Sequence, residues 1–325
     1  MARNGQGTVA ICAAVLTSLA STFAHAGENL WIYARGSDPR PKGTFGFTLQ
    51  DIVKSGKAGG AYTSQEIQST LEYGLTNKLT LAGRAIVFDH EYEIEDARLQ
   101  PYFTTQGGRD GRFSQVEFGG YDVNLRYNLM SNYAGAPFGL TIGAAAGHLD
   151  VNRLDGERVS QDEIRFTASA QKNFLDNTLV FALSPGIAFE KRGFETGPDV
   201  EEVSLTVSAG ASYRFARGWF ASFEYRHQSE FFVPQLIAIR DLRNPGGAVL
   251  DPTDSNLLSL NFGDRFQHAN YIGPSLHYGT ARWWMTAGAM FQVQGGGAPG
   301  SFNADGLNYS GHEDVHLSVA LGVNL

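Results

Sequence analysis

The spacing with the most chemical content is His227-Gln228-Ser229. Residues i and i+2 of a strand share a face, so an imidazole and a hydroxyl meet there as base and nucleophile. Glu230, Glu190 or Glu313 could orient the imidazole. The pair falls on the phase of Phe223 and Tyr225, the expected lipid side, so a lipid ester would be the substrate of a membrane-embedded hydrolase. The plainer account is a turn serine at a strand end, because no second motif supplies an oxyanion hole.

A larger set of charges points inward. Glu72, Arg84, Asp122, Arg126, Arg165, Arg214, Glu224 and Arg226 all occupy the polar phase of alternating segments. On a lipid-facing position Arg or Lys would cost ~2–4 kcal/mol at the bilayer midplane, so a lumen is their expected place. There they either form oppositely charged walls that screen solutes by size and sign, or pair and fill the bore.

Other constellations are weaker. His312 and His316 lie four positions apart, ~13 Å along a strand at ~3.3 Å per residue, too far to share one ion. Asp251, Asp254 and Asp264 read as a solvated acidic loop rather than a cation site. Gly295-Gly296-Gly297 lacks the Lys-Ser/Thr of a phosphate loop. No metal and no cofactor is expected.

The elements that position these residues are strands. Val123, Leu125, Tyr127 and Leu129 alternate with Asp122, Asn124, Arg126 and Asn128, and Val203 to Phe215 alternates the same way. Val315, Leu317, Val319, Leu321, Val323 and Leu325 close the chain. Such period-2 patterning predicts strands with one apolar and one polar face. Twelve are expected, near 43–51, 64–75, 78–90, 113–130, 137–149, 162–174, 178–190, 200–216, 218–230, 265–279, 281–294 and 313–325. Their links alternate between tight turns and longer polar loops. Short periplasmic turns, longer extracellular loops and both termini at the short-turn end describe one closed antiparallel transmembrane β-barrel of the all-β class. Closure satisfies edge amides that lipid could not. Phe45, Phe47, Tyr73, Tyr127, Phe138, Trp219, Phe223, Tyr225, Tyr278, Trp283 and Trp284 fall near strand ends, where aromatic girdles sit.

Composition agrees. The 325 residues include 39 Gly and 12% aromatics, with 33 Asp+Glu against 25 Lys+Arg. That balance argues against nucleic acid as a partner, and the apolar content argues against disorder. Arg3, the apolar stretch Val9 to Ala20 and Ala24-His25-Ala26 predict a cleaved signal peptide over 1–26. Cys12 follows Ile11 early in that stretch, unlike a lipoprotein cysteine. The barrel then spans 27–325 without cysteine, so packing and hydrogen bonds must stabilise it.

Several stretches resemble an uncharacterised family of proteobacterial outer-membrane barrel proteins, a domain of unknown function. They are Glu28-Asn29-Leu30 with Arg40-Pro41-Lys42-Gly43, Leu71 to Thr76, Glu224-Tyr225-Arg226-His227, Gly273 to Tyr278 with Trp283-Trp284, and His312-Glu313. The resemblance implies a Gram-negative outer-membrane location, with outer-membrane lipid and lipopolysaccharide as surroundings, and no established activity. The last strand looks like the signal read by the barrel-insertion machinery, although it ends in Leu325 rather than phenylalanine. The expected role is a narrow, passive porin-like channel or a structural barrel, more a non-enzyme than an enzyme. The hydrolase at His227 and Ser229 is the alternative. Residues 231–264, rich in Phe, Leu and Ile, are expected to fold over or into the mouth.

Overall fold

The computed structural model describes residues 29–57, 60–93, 112–194, 199–232, 264–297, 303–304, 306–309 and 311–325. The expected signal peptide and the loop residues 233–263, with Asp251 and Asp254, lie outside them. Alternating side chains build strands β1 (Phe45–Ser55), β2 (Ala61–Gly74), β3 (Leu79–Glu93), β4 (Arg112–Met130), β5 (Gly139–Val151) and β6 (Arg158–Phe174). They continue through β7 (Leu179–Phe194), β8 (Val200–Ala216), β9 (Trp219–Phe232), β10 (Asp264–Gly279) and β11 (Trp283–Gly297). A small hairpin, β12 (Asn303–Ala304) and β13 (Leu307–Asn308), precedes β14 (Val315–Asn324).

Twelve of these close into one antiparallel barrel, each paired with its chain neighbour, and β1 pairing β14 seals the ring. Backbone bonds between Phe45 and Leu325, at 3.3 and 2.9 Å, tie the seam at the short-turn end. No barrel strand is left with a free edge, the condition for standing in lipid.

The expected strands are found, with longer loop ends. β3 runs to Glu93 rather than 90, β6 starts at Arg158 rather than 162, and β7 reaches Phe194 rather than 190. Beyond the apolar band neither face has to be apolar, so alternation fades while the backbone ladder continues.

Outward positions form a nearly continuous apolar wall, including Leu81, Val123, Leu125, Ile142, Phe166, Leu183, Phe223, Leu276, Phe291 and Leu317. The phase slips within β4 where its ladder with β3 shifts between Ile86 and Val87, leaving Gly119 as the extra residue. Gly120 makes the slip with φ +135°, and a Cβ there would lie 2.1 Å from the His148 carbonyl oxygen. Phe118 and Tyr121 consequently both face out. One girdle expectation needs correction: Trp284 is 1% exposed and stacks on His277 inside the barrel, while Trp283 faces out. Neighbours on a strand take opposite walls, so only one of the two tryptophans can reach lipid.

Candidate functional site

Before β1 the chain enters the barrel. The segment 29–44 has no helix or strand, yet inward polar side chains grip it along its length. Thr286 donates to the Asn29 carbonyl and Ser275 to that of Leu30, the latter at 3.1 Å. Glu224 accepts three consecutive backbone N–H groups, from Ile32 (2.9 Å), Tyr33 (2.9 Å) and Ala34 (2.5 Å). Arg126 donates to the Gly36 carbonyl at 2.7 Å, and Asn128 to that of Ser37 at 2.9 Å. Arg40 pairs with Glu72 at 3.0 Å. Apolar anchors assist: Trp31 and Ala34 pack on Val180 and Ala182, and Ile32 on Ala269, Tyr271 and Met290. The inside of this barrel is therefore partly dry.

A second inward element comes from the loop end. The link 152–157 between β5 and β6 is held by Tyr62, which donates to the Leu154 carbonyl (2.9 Å), and by Tyr92, which donates to that of Asp155 (3.0 Å). Burial pushes the Asp155 carboxyl up to about 6. Both inserts border an internal cavity of about 650 Å³. Among the described residues its lining carries nine Lys/Arg and ten Asp/Glu, so charge is nearly balanced. Arg84 Nε donates to Asp122 at 2.7 Å, Lys54 pairs with Glu66 at 3.1 Å, Arg192 with Glu202 at 3.1 Å and Lys57 with Glu313 at 2.9 Å. In the link before β14, burial pushes the Glu313 carboxyl up, but Lys57 and the bond to His316 outweigh it and hold it well below its usual range.

Of the expected lumen charges, Glu72, Arg84, Asp122, Arg126, Arg165 and Arg226 border this cavity. Glu224 faces inward but lies beneath the inserted segment. Arg214 sits at the short-turn rim, donating to the Asp176 carbonyl at 3.1 Å and so tying off the β6–β7 turn.

The outer wall holds the other candidate. Ser229 and His227 are together: Ser229 Oγ is 2.7 Å from His227 Nε2. Glu230 is on the opposite wall, accepting from Gln228 at 2.9 Å, because adjacent strand residues alternate faces. Glu190 binds Gln161 and Ser204, and Glu313 binds Lys57, all on the lumen side. None of the three carboxylates orients His227. Asn270 of β10 takes that place, its Oδ1 lying 2.8 Å from His227 Nδ1. Sequence reasoning missed it because the two residues are 43 apart and meet only through β9–β10 pairing.

A closed twelve-stranded antiparallel wall, apolar outside and polar inside, defines the class of outer-membrane β-barrels. The chain belongs to a family of unknown function (DUF6662), whose model matches residues 23–325. The resemblance found in its sequence is borne out. No curated protein matches it. Among solved structures it is similar to the COG4313 outer membrane channel from Pseudomonas putida F1, at 12% identity and a TM-score of 0.54, covering 89% of this chain and 98% of that one. It also matches the NanC porin at 7% identity and a TM-score of 0.45, over 86% of this chain and all of that one. LpxR from Salmonella typhimurium matches at 7% identity and 0.41, covering 86% and 99%. The first of these likenesses shows the fold alone; the other two carry no argument.

Proposed function

We propose that this protein is a narrow solute conduit of the Gram-negative outer membrane, throttled by two stretches of its own chain. The observation that carries this is the grip of Glu224 on three successive amides of the inserted segment, which holds polypeptide across the bore. Lining charges of both signs in near-equal number favour small polar or zwitterionic solutes over ions of one sign. Lipid and lipopolysaccharide surround the apolar wall, and the insertion machinery reads the alternating last strand.

Planar-bilayer recording tests the conduit. The intact protein gives small conductance steps, and deletion of residues 29–38 enlarges them several-fold. Steps of unchanged size after the deletion would show that the segment is no throttle. A silent protein in both forms would leave only a structural barrel.

A second reading, acyl-ester hydrolysis at the outer wall, is favoured by one observation, the hydrogen-bonded chain from Ser229 through His227 to Asn270.

A further inference from the structure

We propose that Ser229, His227 and Asn270 are nucleophile, base and orienting residue of a site that hydrolyses the acyl esters of membrane lipids, an inference that rests on the second reading above and names its substrate. The hydrogen bonds run in one direction. Gln294 Oε1 accepts from Asn270 Nδ2 at 2.5 Å, and the Asn270 amide oxygen faces His227. That oxygen also accepts the Tyr225 hydroxyl at 2.7 Å. In the proposed site His227 Nδ1 donates to that oxygen, and Nε2, 2.7 Å from Ser229 Oγ, is the acceptor. This is the proton order a serine nucleophile needs, with an amide in the orienting position.

The backbone is bent to build it. The β10–β11 ladder shifts register at Asn270 and Tyr271, where Val293 is the extra residue. Without that shift Gln294 would point into the lumen; with it, Gln294 stands beside Asn270 on the outer face. Bulges commonly re-aim side chains in this way next to active sites. His268, the register partner of Ser229, occupies the same face.

Position selects the substrate. Phe223, Leu276, Phe291 and Val293 are exposed on the same wall and give way to the polar network at its loop-side end. Tyr225, 38% exposed, marks that boundary. In a bilayer the ester carbonyls of lipids lie between acyl chains and headgroups, the depth at which such aromatic girdles sit. Ser229 itself is 2% exposed, so its neighbours must part to admit an ester.

In the reaction, Ser229 Oγ attacks the ester carbonyl as its proton passes to His227 Nε2. The acyl carbon–oxygen bond of the lipid breaks, and the departing alcohol takes that proton. Water then attacks the acyl-serine, His227 receives a proton from it and returns one to Ser229 Oγ, and a fatty acid leaves. One water is consumed for each ester cleaved.

Two measurements on the full-length protein, refolded in detergent, test site and substrate separately. An alkyl fluorophosphonate, whose fluoride the serine oxygen displaces, should label Ser229. Labelling should vanish in Ser229→Ala, fall at least ~1000-fold in rate in His227→Ala, and fall roughly 10-fold or more in Asn270→Ala. Heat-modifiable electrophoretic migration confirms that each variant is a folded barrel. The second measurement is release of fatty acid from phosphatidylethanolamine–phosphatidylglycerol vesicles and, separately, from lipopolysaccharide. Ser229-dependent release from either supports the proposal and says which lipid supplies the ester. Labelling without release from either would overturn the lipid substrate while leaving a reactive serine. Absence of labelling on the folded wild type would overturn the site itself.

Discussion

The carboxylate of Glu224 on β9 lies 2.5 Å from the backbone nitrogen of Ala34, joining positions 190 residues apart across the inside of the barrel. The same carboxylate takes the amides of Ile32 and Tyr33, so one side chain satisfies three N–H groups that no regular structure serves. Hydrogen bonds to a charged group contribute about 1.5–3 kcal/mol each when a partner is removed. Glu224→Ala is expected to loosen the segment without opening the barrel. Trypsin then cuts between Arg35 and Gly36, which mass spectrometry detects, while the wild type resists. Equal resistance in both would show that the segment is held elsewhere.

Arg84 and Asp122 form a half-dry ion pair on neighbouring strands β3 and β4, with Nε to Oδ2 at 2.7 Å and Gln68 as a further partner of the guanidinium. Removing one member strands the other charge, so Asp122→Leu should destabilise by about 3–5 kcal/mol. The double variant Arg84→Met/Asp122→Leu should recover most of that loss. Urea unfolding in detergent measures both, and additive losses would rule out direct coupling.

The β6–β7 turn holds three successive non-glycine residues in the left-handed region, Leu175, Asp176 and Asn177, with φ of +50°, +53° and +63°. Such a conformation costs an L-residue about 1–2 kcal/mol, least for Asn and Asp. Leu175 is 72% exposed and has little packing to lose. Leu175→Gly is expected to raise the unfolding free energy by roughly 0.5–1 kcal/mol. A lower urea midpoint would contradict it.

His312, in the link before β14, is buried, and its Nε2 has no hydrogen-bond partner among the described residues. Burial pushes its imidazole down to about 3. The unfolded chain takes up a proton at this residue near the ordinary histidine pKa of about 6.5, which the folded state refuses. Stability is therefore lost as pH falls from about 6.5 toward 3, with a limiting slope of about 1.4 kcal/mol per pH unit from this group. His312→Leu should flatten the urea midpoint across that window relative to wild type. An unaltered profile would mean that other groups set the acid limb.

The strands were legible because each must show lipid one face and the lumen the other, which writes period 2 into residues such as Val315 to Leu325. The inward charges were legible for the same reason, and so was the shared face of His227 and Ser229. Parity also shows where a local guess fails. Glu230 and Trp284 each follow a residue of the opposite face, and the structure places both inside. The inserted segment 29–44 left no periodic trace, because its amides are satisfied by distant side chains rather than by a ladder.

Alternating apolar and polar residues, with short and long links by turns, were enough to determine a closed twelve-stranded wall, since no other arrangement satisfies every strand amide in lipid. Contacts between residues far apart in the chain were left to the tertiary structure. Only the closed ring sets Glu224 against Ala34, and only the β9–β10 register with the Val293 bulge brings Asn270 and Gln294 to His227. A bulge shifts register by one residue and so reverses which wall a side chain serves, a change that period-2 patterning cannot locate across a strand pair.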